Sequence, residues 1–172
     1  GVPSTVLHPP APARNYRCEA YEPYVFAVSR LHVLKRMDLL IEAMSAMKDR
    51  SLRAVIAGEG EDEARLRSLI REKGLENRVD IVGPVSEDLK LDHYARCRAV
   101  YFAPQNEDYG FVTLEAMSSG KPVLTATDSG GRTGSSSAVI TAANAAPSIS
   151  GCSFTPASLI PDGTATTSLQ CA

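Results

Sequence analysis

The chain lacks a surplus of positive charge. Its 18 lysines and arginines are outnumbered by 20 acids, for a formal net charge of -2, and the pI is near 5.9. A nucleic-acid binder carries a basic stripe or patch, so nucleic acid is not an expected partner. No apolar run approaches the ~20 residues of a membrane span, so no transmembrane segment is expected. The first residues, Gly1-Val2-Pro3-Ser4-Thr5, lack the charged and apolar regions of a signal peptide. The four cysteines, Cys18, Cys97, Cys152 and Cys171, show no CxxC spacing and read as thiols of a reducing cytoplasm. His8, His32 and His93 have no metal-ligand spacing, which leaves them surface or packing roles and implies no metal site. Charge itself runs out late in the chain: past Gly131 only Arg132 and Asp162 carry any, and Ser, Thr and Ala fill 22 of 41 positions.

The other residues have room for one domain with a real core. Val6-Leu7-His8 followed by three prolines reads as an extended linker over 1–23. Apolar runs at 24–28, 54–57, 79–82, 99–103 and 122–126 read as five strands. Between them, Leu40, Ile41, Met44 and Met47 stripe a helix from Met37. Leu66, Leu69 and Ile70 stripe a charged one from about Glu61 to Lys73. Gly74 ends the second helix, and Ser86 caps a third that ends near Cys97. Five alternations with short connections call for a parallel sheet with helices on both faces, a Rossmann-like α/β domain over 24–131. Residues 132–172 show no helical stripe and no sixth strand. Their composition fits an irregular tail, either out-of-frame or foreign in origin or a genuine linker.

The stretch from Pro104 to Pro122 carries the chemistry. It reads as a strand end, a polar turn through Gly110, and a short helix stopped by Gly120 and Pro122. Glu107 falls in the turn and Glu115 about one turn into the helix. Ligands of parallel α/β sheets bind at this edge, and a helix N-terminus there favours phosphate. Two acids beside such a turn suit a ligand that also carries hydroxyls. A nucleotide sugar has both features. By contrast Gly58-x-Gly60 is only a fragment of a dinucleotide fingerprint: Glu63 stands at its third glycine position and would repel a pyrophosphate.

Three pieces together resemble the donor-binding half of retaining glycosyltransferases of the large group 1 family, which have the two-Rossmann-domain GT-B fold. They are Ser29-Arg30-Leu31 with Lys35-Arg36, then Ala57-Gly58-Glu59-Gly60, and Glu107-x7-Glu115 with Ser119-Gly120-Lys121-Pro122-Val123 and Asp128-Ser129-Gly130-Gly131. The likeness covers about residues 5–131. It implies that Arg30, Lys35 and the backbone N–H groups of Gly110, Phe111 and Val112 hold the donor diphosphate. It further implies that Glu115 accepts from ribose hydroxyls and Glu107 from the transferred sugar. The base would lie against Gly83-Pro84-Val85. Catalytic roles fall to Glu107, Arg30 and Lys35, with no metal and no cofactor.

The expected activity is hexosyl transfer from a UDP- or GDP-sugar, with retention, in polysaccharide or glycolipid synthesis. The expected setting is cytoplasmic, with peripheral membrane attachment left open for a full-length enzyme. The resemblance also implies an N-terminal acceptor-binding Rossmann domain that is missing here, and hence an inactive isolated chain. A noncatalytic sugar-nucleotide-binding module and a truncated product without activity are the alternatives.

Overall fold

The computed structural model describes residues 12–105, 110–127, 139–143, 152–156 and 167–171. Five parallel strands form the sheet: β1 (Tyr24–Val28), β2 (Arg53–Ala57), β3 (Val79–Gly83), β4 (Ala99–Tyr101) and β5 (Val123–Thr127). Their spatial order is β3-β2-β1-β4-β5. The chain thus builds outward from β1 in one direction, then crosses back to continue from its other side at β4. That reversal leaves a crevice beyond the carboxyl ends of β1 and β4, the place where open α/β sheets take ligands.

Among the described residues four α-helices cover the sheet: α1 (Met37–Ala46), α2 (Glu63–Glu72), α3 (Glu87–Arg96) and α4 (Phe111–Ser118). Because strand side chains alternate, Val25 and Ala27 of β1 join a core with Leu40, Ile41 and Met44 of α1 and Leu66 and Ile70 of α2. Phe26 points to the opposite face and packs with Leu91 and Tyr94 of α3 and Ala116 of α4. Both faces of the central strands are therefore buried, which is why β1 and β4 are continuous apolar runs, whereas the edge strand β3 alternates buried and exposed positions. Ser86 caps α3 as expected, its Oγ accepting from Leu89 N at 3.3 Å. Among the described residues no helix is long and apolar enough to cross a membrane.

Three features depart from the sequence expectation. Helix α2 begins at Glu63 rather than Glu61, because the Asp62 N–H goes to Leu31 O at 3.1 Å and ties that turn to the β1 exit. A sixth strand exists: β6 (Val139–Ala143) pairs antiparallel with β5, from Val123↔Ala143 to Thr127↔Val139. A separate two-stranded sheet joins β7 (Cys152–Pro156) and β8 (Thr167–Cys171). Backbone ladders need no charge, and Val139-Ile140-Thr141 is β-branched throughout, so a charge-poor composition did not exclude strands. The other short apolar run past Gly131, Ser158-Leu159-Ile160, lies outside the described residues, as do Pro9 and Pro10 of the linker.

The described part of the 1–23 linker, which leads into β1 and is called the leader below, is pinned, although it contains no helix or strand. Glu19 N and Glu22 N donate to Ala95 O and Arg96 O, each at 2.8 Å, at the end of α3. Tyr21 Oη donates to Gly120 O at 3.0 Å. Lys121, only 1 % exposed, donates to Ala20 O and sits 3.9 Å above the Tyr21 ring. A buried ammonium without partners is costly, so this carbonyl and ring explain how Lys121 stays inside.

Candidate nucleotide-sugar site

The loops after β1 and β2 cross at very close range. Leu31 N donates to Glu59 O and Gly58 N to Gly83 O, both at 2.8 Å. A Cβ on Gly58 would lie 1.8 Å from Ser29 O, and its φ of +133° is one that L side chains rarely adopt. Gly58 is thus required by the fold itself. This crossing holds Arg30 at the crevice side of β1, with its side chain 71 % exposed. Its Nη2 is 3.1 Å from Glu61 Oε2, and His32 Nε2 is 3.4 Å from Glu61 Oε1. His32 Nδ1 also accepts from Leu34 N at 3.1 Å, capping a 3₁₀ turn over Val33–Lys35. Lys35 closes that turn. The turn is anchored to the β4 side by Gln105 N, which donates to Leu34 O at 2.7 Å, and by Tyr101 Oη, which donates to Arg36 O at 2.7 Å.

Across the switch point, α4 starts at Gly110, whose φ is +74°. Its missing Cβ would stand 2.9 Å from the Phe102 ring, and its left-handed φ is one that L side chains rarely adopt. Thr113 N and Oγ1 donate to Gly110 O at 2.9 and 2.7 Å and fix the first turn. The N–H groups that open a helix have no carbonyl partner within it and carry partial positive charge. Phe111 is exposed, while Val112 is half-buried against the α3 side of the core. At the far end Lys121 N donates to Ala116 O and Gly120 N to Met117 O, both at 2.9 Å, with Gly120 left-handed.

One turn into α4, Glu115 is buried, with its side chain 9 % exposed. Lys90 Nζ lies 3.1 Å from its Oε1, and Tyr94 Oη donates to Oε2 at 2.8 Å. Lys90 also pairs with Glu87 Oε1 at 2.7 Å, and Glu87 Oε2 meets Arg14 Nε of the leader at 3.3 Å. Burial lowers the affinity of Lys90 for its proton, but the bonds to Glu87 and Glu115 outweigh it and raise its pKa. Burial first, then Glu115, pushes the Tyr94 hydroxyl far up, so it stays a donor.

The topology brings Arg30, Lys35, Gly83, Pro84, Val85 and the Gly110-Phe111-Val112 turn to one edge of the sheet. Gly83 has a φ of +76° with open space where a Cβ would be, and Val85 leans on the α3 side of the core. Glu107 lies outside the described residues. Sequence reasoning missed Lys90, Tyr94 and the leader contacts. Only the i, i+4 spacing of Lys90 and Tyr94 hinted that they share a helix face.

A Rossmann-like sheet with a helix start at its switch point defines a doubly wound α/β class of domain. The sequence profile of one family, Glycosyl transferases group 1, matches residues 15–135. The chain belongs to that family. It is 34% identical over 119 residues to a D-inositol 3-phosphate glycosyltransferase of Nocardia farcinica, covering 64% of this chain and 26% of that protein. It is 30% identical over 110 residues to the mannosylfructose-phosphate synthase of Agrobacterium fabrum, covering 58% and 24%. The chain spans about a quarter of the length of these relatives. Among solved structures it resembles TarM of S. aureus, with a TM-score of 0.58, 30% identity, and coverage of 70% of this chain and 23% of that one. Anabaena HepE in complex with UDP-glucose matches with a TM-score of 0.55, 32% identity, and coverage of 60% and 29%. The Rossmann-like expectation holds: the domain is one half of a GT-B fold.

Proposed function

We propose that this chain is the donor-binding half of a retaining glycosyltransferase that moves a hexosyl group from a UDP- or GDP-sugar. Arg30 and Lys35 face the diphosphate from the β1 side, and the Gly110, Phe111 and Val112 N–H groups face it from the α4 side. The departing group is a nucleoside diphosphate whose charge grows as the glycosidic bond breaks. Fixed cations and aligned N–H groups stabilise that charge in place, the part a metal ion plays elsewhere. Glu115 accepts from the ribose hydroxyls, Glu107 from hydroxyls of the transferred sugar, and the Gly83-Pro84-Val85 turn borders the base. Transfer itself requires an acceptor-binding domain facing this edge.

The observation that carries the reading is the buried Glu115 carboxylate one turn inside a helix whose start opens at the switch point. Such an acid serves no diphosphate; it serves a ligand that combines phosphate with hydroxyls. That HepE has been solved with UDP-glucose supports a nucleotide-sugar ligand of the same kind. Isothermal titration with UDP, GDP and their hexose conjugates tests it. Binding of one nucleoside diphosphate and its sugar is expected, and the absence of heat from every ligand at millimolar concentration defeats the proposal. Addition of a separately expressed acceptor domain restores transfer if the chain is catalytic, and leaves the mixture inert if it only binds.

A further inference from the structure

Helix α3 has no part in the donor contacts assigned so far, yet it provides both groups that touch Glu115. Lys90 and Tyr94 lie one turn apart on the same helix face. Lys90 Nζ takes Oε1 at 3.1 Å, and Tyr94 Oη takes Oε2 at 2.8 Å. Each oxygen of a carboxylate accepts about two hydrogen bonds, so each keeps about one acceptor site after α3 has bonded to it. Two sites then remain on one planar group, and a ribose offers two adjacent hydroxyls. Lys90 is itself held from behind by Glu87 at 2.7 Å and, through Glu87, by Arg14 of the leader. Its side chain is only 15 % exposed, so the ammonium has little water to exchange its partners for.

We propose that Lys90 and Tyr94 are positioning residues that clamp the Glu115 carboxylate, so that its two remaining acceptor sites meet the 2′- and 3′-hydroxyls of the donor's ribose. The proposal rests on Glu115 as the ribose acceptor. A glutamate free to rotate loses rotamer entropy each time it binds, whereas one already bonded at both oxygens has lost that freedom on folding. The clamp acts on the hydroxyl contacts alone. The diphosphate and base are gripped from other loops and do not depend on it.

The test compares affinity for UDP and GDP with that for their 2′,3′-dideoxy forms, in the whole chain, by titration calorimetry. The unaltered protein is expected to prefer the hydroxylated nucleotide by roughly tenfold or more, the scale of hydrogen bonds to a charged group. Glu115→Gln loses most of that preference. Lys90→Met is expected to shrink it several-fold while affinity for the dideoxy form stays unchanged, and Lys90→Arg to retain most of it. Tyr94→Phe keeps the buried ring, removes only the hydroxyl, and gives the same readout should Lys90→Met not fold. An unchanged preference in Lys90→Met and Tyr94→Phe overturns the clamp while leaving the ribose role of Glu115 standing. An equal loss for both forms overturns it too, since that marks a support for the whole fold. If the unaltered protein binds both forms equally, or binds neither nucleotide, the ribose assignment fails and the clamp falls with it.

Discussion

The two sides of the crevice are built in opposite ways. On the β1 side Arg30 projects into solvent, 71 % exposed, and its partner Glu61 is 53 % exposed. On the α4 side Glu115 is 9 % exposed and is bonded at both oxygens by a single helix. Exposed ion pairs are screened and exchange easily with water, so an arriving anion can take Arg30 from Glu61 at little cost. A buried carboxylate bonded on both oxygens does not move. In the proposed binding mode, one side is a cation that reaches for its ligand, and the other is a fixed rest that measures it. The backbone beneath the exposed side is nevertheless held rigidly, since Gly58 crosses Ser29 with no room for a methyl group.

That rigidity gives the largest expected effect. Gly58→Ala places a Cβ against the Ser29 carbonyl at a φ of +133°. Neither backbone can give way without breaking the β1–β2 register, so a loss of more than about 3 kcal/mol of stability is expected. Urea unfolding measures it, and a variant within 1 kcal/mol of the parent (roughly the median for any substitution) means that the two loops do not cross as described. Glu115→Ala comes next. It leaves Tyr94 Oη without an acceptor in the core and Lys90 with Glu87 alone, at a cost of about 1–3 kcal/mol. Nucleoside diphosphate affinity should fall with it. A variant as stable as the parent and equally avid for nucleotide breaks the comparison at its fixed side.

Why one side was legible in the chain and the other was not follows from how far apart the partners lie. Strand β1, the stripe of α1 and the Ser86 cap are set by neighbours within a few residues, and they stand where the sequence puts them. The helix start at Gly110 was equally plain, because glycine and the residues after it define a corner locally. Lys90 and Glu115 are separated by 25 residues, and nothing in either stretch says that α3 will lie against α4. Their meeting depends on both helices sharing one face of the sheet. Gly58-x-Gly60 shows the converse hazard. Its glycines look like half a phosphate-binding fingerprint, whereas Ser29 and Leu31 carbonyls occupy the space next to their α-carbons. The leader is the same lesson for a linker-like composition: its backbone, not its side-chain pattern, bonds to the end of α3. Past Gly131, loss of charge hid a ladder that β-branched residues were able to form.

The smallest effect on folding is expected at the exposed side. Arg30→Ala removes a guanidinium that pairs with the solvent-facing Glu61, so the melting temperature should stay within about 2 °C of the parent. Nucleotide affinity should nonetheless fall by roughly tenfold at low salt, because the proposed charge-assisted bond to the diphosphate would be lost. Part of that loss is long-range attraction, which ~1 M salt screens to a few ångströms, so the gap between variant and parent should narrow as salt is raised. Glu61→Gln adds the opposite sign: with its anion gone, Arg30 is free to meet phosphate and affinity should rise slightly. A salt-independent loss in Arg30→Ala, or a weaker Glu61→Gln, means that the pair is a fixed structural element, and the contrast between a reaching side and a fixed side of the crevice no longer holds.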